Sequence, residues 1–217
     1  MAIGATDGLG AVTLARVAAA VGVSQGLVHH YFTSAEEMVN ATFRHAAEAD
    51  LDAARQTVST AGTARAQISA LFDYVFDPDS ADAAVLWIDA ASLSRRSPSL
   101  AKEAHDVNTG WLTFLADIVT TGTHTGEFTV THPHTTARRL LTIIDGLGAQ
   151  TGAHALAFGD EDATGANEPE PARTDLRAAA TPGALPPAEL KDIATDFAKH
   201  ELGLVSQHDS SNSTPNV

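Results

Sequence analysis

Residues 14–32 read LARVAAAVGVSQGLVHHYF, and this stretch decides the fold of the N-terminal part of the chain. Its apolar residues recur at a spacing that buries one side of each of two short helices against the other. The residues concerned are Val17, Val21, Val23, Val28 and Tyr31. Two short helices that cross over a tight turn are typical of a helix-turn-helix unit, whose second helix enters the major groove of DNA.

Four small residues support this interpretation. Ala18 lies where the helices cross and leaves no room for a large side chain, and Gly22 ends the first helix in a left-handed conformation that glycine adopts at low cost. Thr13 and Ser24 are predicted N-caps, each contributing about 1 kcal/mol to its helix. Either hydroxyl is also placed to reach a DNA phosphate.

A longer stretch carries a resemblance to a known family. Residues 12–43, VTLARVAAAVGVSQGLVHHYFTSAEEMVNATF, resemble the DNA-binding domain of TetR-family transcriptional repressors, close to the BetI-like branch. The residues that carry the likeness include the Val23-Ser24 and Tyr31-Phe32 pairs and the acidic start of the next helix. Three later segments resemble the last helices of the same branch, namely 125–128 (TGEF), 137–141 (ARRLL) and 144–147 (IDGL).

The resemblance implies an all-α homodimer with two functional parts. It implies a helix-turn-helix domain over residues 1–45 and a helical ligand-binding and dimerisation domain over residues 46–205. The helix that begins at Pro133 and the last helix are implied to pair with their copies as a four-helix bundle. The two recognition helices then read a palindromic double-stranded operator, and a small ligand that displaces the long helix after Ser34 releases the DNA.

The same resemblance assigns the DNA-facing residues. Those expected to face the groove or its walls are Ser24, Gln25, Gly26, His29 and His30, while Thr13 and Tyr31 are expected on phosphates. Leu27 and Val28 are expected to pack inward.

Helical periodicity continues through the rest of the chain, and no strand is predicted. Ser34 and Glu37 resemble a capping box that opens a helix to about residue 59. Further helices are predicted over 63–76, 81–94, 97–122, from Pro133, and over 187–204. Residues 159–187 are rich in Gly, Pro and Ala and are interpreted as an inserted flexible loop, and residues 206–217 as a disordered tail.

Aromatic residues fall on the helices that enclose the ligand pocket in the proteins this chain resembles. The predicted pocket residues are Phe72, Phe76, Trp87, Asp89, His105, Asn108, Trp111 and Leu115. The three polar members would supply the few polar groups such a pocket needs. For each apolar member the alternative is ordinary core packing, and for each polar member it is a solvent-facing position.

Three features depart from the family pattern. Residues 1–45 contain Arg16 and Arg44 as their only Lys or Arg, and Ala35 stands where the family usually has a phosphate-binding Lys. The net charge is −14, so weak non-specific DNA binding is expected. The helix that precedes the motif in the family is expected to be mostly missing here, either because the true start lies upstream or because the chain is truncated.

The missing helix has a predicted consequence for packing. Residues 2–7 are interpreted as its last turn. The apolar residues Val17, Met38 and Phe43 are therefore expected to be partly uncovered.

Composition excludes several classes of protein. The chain has no cysteine, which excludes disulfides, thiolate metal sites and a Cys nucleophile. No signal sequence and no apolar run of about 20 residues is present, which predicts a cytoplasmic protein without a membrane partner. Catalytic and phosphate-binding motifs are absent, so neither an enzyme nor a cofactor site is predicted.

Two weak metal signals are discounted. Residues 160–165 resemble the first half of a calcium loop, but Pro171 stands where the bidentate Glu belongs. His132 and His134 flank Pro133 and are better explained by a helix N-terminus than by a metal pair.

The alternative to a DNA-binding regulator is a ligand-binding or protein-interaction homodimer that has lost DNA binding.

Overall fold

Helices form all the regular structure in the part of the chain that the computed structural model describes, residues 3–4, 7–77, 80–158 and 185–204. A 3₁₀ helix at Leu9–Ala11 precedes eight α-helices. These are α1 (Leu14–Val21), α2 (Gln25–Tyr31), α3 (Ala35–Ser59), α4 (Ala64–Val75), α5 (Ala81–Ser94), α6 (Pro98–His124), α7 (Pro133–Phe158) and α8 (Pro187–Glu201). The predicted all-α class is confirmed. The predicted tail, 206–217, and nearly all of the predicted loop, 159–184, lie outside the described residues.

Local hydrogen bonds fix the helix-turn-helix as the sequence predicts. The Thr13 hydroxyl oxygen accepts a bond from the Arg16 amide at 3.3 Å, and the Ser24 oxygen accepts one from the Leu27 amide at 3.2 Å. Gly22 ends α1 with φ of 69°, in the left-handed region. Both N-caps and the glycine turn are therefore confirmed.

The apolar face of this unit is narrower than predicted. Val28 and Ala18 are buried in a small cluster with Val12 and Met38. By contrast, the exposed fractions of Val21, Val23, Leu27 and Tyr31 are 63%, 36%, 46% and 71%. The expectation that Val21, Val23 and Leu27 pack inward is therefore wrong. The apolar spacing is wrong for Tyr31 as well, whose exposure instead suits its expected place on a phosphate. The helices have only eight and seven residues, and each contributes one buried residue to the place where they cross. Side chains that do not point toward the crossing, or that lie at the helix ends, stay exposed to solvent.

The expected gap beneath the N-terminal segment is also absent at two of its three positions. Met38 and Phe43 are 2% and 0% exposed, and only Val17 is partly exposed. Leu9 and Val12, which precede α1, are themselves buried and supply the cover. The prediction failed because residues 8–12 turn back over α3 instead of running away from it.

A main hydrophobic core unites α3 to α8. Helix α3 packs against α4, α5 and α6, and α7 packs against α5, α6 and α8. The buried side chains of α3 from Phe43 to Val58 face this core, whereas Met38 near its start belongs to the small cluster of the helix-turn-helix. A single helix therefore joins the two clusters.

Side-chain hydrogen bonds cap the starts of α3 and α4. The Ser34 oxygen accepts a bond from the Glu37 amide at 3.0 Å, as in the predicted capping box, but Glu37 binds the Thr33 amide at 2.7 Å instead of reaching Ser34. Glu127 accepts bonds from the Ala64 and Arg65 amides at 3.1 and 3.0 Å, which lower the pKa of its carboxyl. This carboxylate ties the loop after α6 to the start of α4.

The packing around this hydrogen-bonded loop leaves no space for a side chain at Gly122. A Cβ built on this residue would lie 2.2 Å from Cδ2 of Phe128 and 2.8 Å from Cβ of Ala64. We expect Gly122→Ala to lower the free energy of unfolding by about 1–3 kcal/mol, because overpacking outweighs the better helix propensity of alanine. Urea denaturation of the two proteins measures the difference. The control is Gly62→Ala, which meets open space; equal losses for both variants would contradict the packing explanation.

Candidate functional site

The outer face of the helix-turn-helix carries the predicted DNA-facing residues. All of them are exposed, namely Thr13, Ser24, Gln25, Gly26, His29, His30 and Tyr31. The rings of His30 and Tyr31 meet edge to face with centroids 5.5 Å apart. Val28 is buried beneath them and holds α2 against α1 and α3. The face is therefore a rigid polar surface with Leu27 as an apolar addition.

Both arginines of residues 1–45 are already engaged. Arg16 forms an ion pair with Asp7, and the Arg44 guanidinium binds both carboxylate oxygens of Glu103 at 2.8 Å. Neither pair is buried, so each arginine can exchange its acidic partner for a DNA phosphate, and the carboxylate and the phosphate compete for it. The described residues up to position 45 thus hold no arginine without an acidic partner.

A second candidate site is a cavity of about 300 Å³ enclosed by α3 to α7. Aromatic rings form part of its wall, from Tyr74, Trp87 and Trp111. The space exists because α5 and α7 present small side chains to it, including Ala83, Ala84, Ala91, Gly148 and Ala149. The remaining lining residues are Asp50, Val75, Ser80, Ile88, Asn108, Leu141, Ile144 and Asp145.

The charged groups of this cavity are both acidic. Asp50 accepts a hydrogen bond of 2.6 Å from the Tyr74 hydroxyl, and burial raises the pKa of its carboxyl. Burial and the adjacent carboxylate raise the pKa of Tyr74, so its hydroxyl stays a donor. Asp145 lies at the exposed rim with a side-chain hydrogen bond from Asn108, and apolar surroundings raise the pKa of its carboxyl. Among the residues that the structure describes, no Lys, Arg or His lines the cavity.

The cavity includes three of the eight predicted pocket residues, Trp87, Asn108 and Trp111. Three others, Phe72, Phe76 and Leu115, lie in the main core. His105 is exposed on α6. Asp89 points away from the cavity and accepts a hydrogen bond of 2.7 Å from the Leu9 amide.

Sequence reasoning missed Asp50, Tyr74 and Asp145 as lining residues. A signal was present for the two acids. Asp50 follows Ala47 by three residues and precedes Ala54 by four, so it shares the buried face of α3. Asp145 follows Leu141 by four residues and precedes Gly148 by three, so it shares one side of α7 with them. A carboxylate on an otherwise apolar helix face indicates a functional group.

Within the described ranges, no three His, Cys, Asp or Glu residues are grouped in a way that would hold a metal ion. Pro133 is the first residue of α7, with His132 and His134 on either side of it. The calcium-like stretch at 160–165 lies outside the described residues. No helix in the same ranges has the length and apolar character needed to cross a membrane.

Comparisons with known proteins agree with this architecture. Residues 3–42 match the family described as "Bacterial regulatory proteins, tetR family", and residues 64–166 match "BetI-type transcriptional repressor, C-terminal". Both descriptions are those of regulators and not of enzymes.

Two relatives named "HTH-type transcriptional regulator BetI" illustrate the match. The one from Rhizobium meliloti is 35% identical over 89 residues, which cover 40% of this chain and 44% of the relative. The one from Paraburkholderia phymatum is 33% identical over 149 residues, which cover 65% of this chain and 71% of the relative. The chain spans about half the length of the first curated relatives it matches.

Solved structures show the same fold. A transcriptional regulator from Pseudomonas aeruginosa PAO1 has a TM-score of 0.68 at 16% identity, covering 93% of this chain and 86% of its own. A transcriptional regulator from Saccharomonospora viridis, solved in complex with choline, has a TM-score of 0.66 at 19% identity and covers 91% and 90%. The resemblance seen in the sequence is thereby confirmed: the chain belongs to the TetR family of bacterial regulatory proteins and is a BetI-like member of it.

Proposed function

We propose that the protein is a ligand-responsive transcriptional repressor that binds a palindromic operator as a homodimer and leaves it when a small organic cation occupies the cavity. The observation that carries the proposal is the exposed outer face of α2, held by the buried Val28, in a chain of this family. In the dimer, α7 and α8 would pair with their copies, as in the family.

The exposed face has the groups that DNA recognition requires. Gln25 offers an amide that pairs with adenine, and the imidazoles of His29 and His30 offer further polar contacts to base edges. The oxygens of Thr13 and Ser24 accept helix-capping bonds, which leaves each hydroxyl hydrogen free to donate to a phosphate. Tyr31 lies exposed at the end of α2 for the same purpose.

The chemistry of the cavity favours a cation. Its titratable acids, Asp50 and Asp145, have no basic residue beside them in the lining. The rings of Tyr74, Trp87 and Trp111 attract positive charge through their faces. A quaternary ammonium ion suits such a site because it needs no hydrogen bonds. The choline complex of the Saccharomonospora viridis regulator supports this ligand class.

Helix α5 offers a route from the cavity to the DNA-binding unit. Trp87 lines the cavity on α5 and meets Phe43 of α3 edge to face, with ring centroids 5.2 Å apart. Two residues further on, Asp89 holds the Leu9 amide of the N-terminal segment. A ligand that shifts Trp87 would therefore act on both contacts. A coupling of about 1–3 kcal/mol would reduce operator affinity 5- to 150-fold.

The first test measures choline binding by calorimetry. We expect Asp50→Asn to weaken binding about tenfold or more, because the variant removes the negative charge beside the ligand. For the wild type, affinity should fall as the pH decreases, since protonation of Asp50 removes that charge. The raised pKa of its carboxyl makes the loss begin at higher pH than for an exposed aspartate. Asp52→Asn, exposed on the same helix, is the control; an equal effect there would refute the assignment.

The second test concerns coupling. Asp89→Ala leaves the Leu9 amide without its acceptor, so we expect the ligand-induced loss of operator affinity to shrink several-fold. Choline affinity should change by less than about twofold, because Asp89 does not line the cavity. Anisotropy titrations with and without choline measure both. Asp82→Ala, exposed on α5, serves as the matched variant; unchanged release in Asp89→Ala would exclude this route.

The third test addresses the paired arginines. A dimer offers four arginines within its two copies of residues 1–45, so the slope of log K against log salt should be shallower than about −4. Anisotropy of DNA flanking the gene, titrated at several salt concentrations, gives this slope. A much steeper slope would mean that cations elsewhere dominate binding. Absence of binding at every salt concentration would instead favour a ligand-binding homodimer without DNA binding, which the pairing of both arginines makes the second candidate.

A further inference from the structure

The recognition helix exposes a leucine. Leu27 is 46% exposed although the adjacent Val28 is 6% exposed, because the two side chains point about 100° apart and only Val28 faces α1 and α3. The Leu27 amide is held by Ser24, so the backbone of this turn is fixed. An aliphatic side chain thus projects from a rigid base, on a helix whose other exposed residues are Gln25, Gly26, His29, His30 and Tyr31.

Single exposed leucines are common and need no function by themselves. Leu27 differs because it lies on the same side of α2 as His30 and Tyr31, three and four residues further on, which are expected to meet DNA. A leucine buried against a phosphate or a polar base edge would desolvate that group without pairing it. The major groove contains one apolar group on its base edges, the 5-methyl group of thymine.

The charge of the DNA-binding unit gives such a contact more weight. Arg16 and Arg44 are both ion-paired, so non-specific attraction to phosphate contributes less than usual. A larger share of the affinity must then come from contacts to base edges. An apolar contact is also insensitive to salt, unlike a phosphate contact.

We propose that Leu27 is a specificity-determining residue that packs against the 5-methyl group of a thymine in each operator half-site. The inference rests on the proposed function, since it requires α2 to lie in the major groove. It adds a direct readout of thymine by an aliphatic side chain.

The experiment removes thymine methyl groups one symmetric pair at a time. The probe is the shortest duplex from the DNA flanking the gene that the full chain binds, with each symmetric pair of thymines replaced by deoxyuridine. This replacement deletes the methyl group and keeps the base pair. At one position per half-site, we expect the affinity of the wild type to fall about three- to fivefold per methyl, or about tenfold or more for the pair.

The variants identify the side chain that reads this methyl group. Leu27→Ala should bind the unmodified duplex more weakly and show no further loss with deoxyuridine at that position. Leu27→Met keeps an apolar chain and should keep most of the sensitivity, which also guards against a folding defect in the alanine variant. Val21→Ala removes an exposed valine of α1 outside the recognition helix and should behave as the wild type.

The possible results separate the two proposals. If the wild type binds the duplex but no deoxyuridine pair weakens binding, or if Leu27→Ala retains the sensitivity, the role of Leu27 is refuted while the repressor proposal stands. If the wild type binds no such duplex at any salt concentration, the proposed function fails and this inference fails with it.

Discussion

The rest of the structure depends on the contacts that α5 makes with the N-terminal segment and with α3, through Asp89 and Trp87. The rings of Trp87 and Phe43 meet edge to face, and Trp87 lines the cavity as well. Asp89, half a turn further along, anchors the backbone of Leu9, and Leu9 covers Phe43 in the main core. The N-terminal segment, the long helix and the cavity wall thus share one set of neighbours, and none of them can be repacked without the others.

The cavity exists because α5 and α7 carry large side chains on one side and small ones on the other. Large residues such as Leu86 and Leu140 close the core on one side of these helices, while alanines and glycines leave room on the other. A space of this kind costs packing energy that a purely structural bundle would recover with larger side chains. The half-buried carboxylate of Asp50 raises that cost further. Such a combination is typical of a site that a ligand completes.

Local chemistry explains which features could be predicted from the sequence. Thr13, Ser24 and Gly22 act through hydrogen bonds and backbone angles within a few residues, so their effects do not depend on the rest of the fold. The orientation of Leu27 could not be derived, because Leu27 and Val28 are equally apolar neighbours and only the crossing with α1 and α3 decides which is buried. The lining role of Asp50 depends likewise on small residues of α5 and α7, which are distant in the chain.

The length of α3 has a mechanical consequence. Its 25 residues run without interruption from the capping bond at Ser34 into the main core, and Asp50 lies roughly 22 Å along the axis from the first turn. Because a helix tilts as one body, a tilt of about 5° at the cavity displaces the N-terminal end of α3 by about 2 Å. In the proposed homodimer, the same shift in both copies would change the distance between the two recognition helices when a small ligand binds.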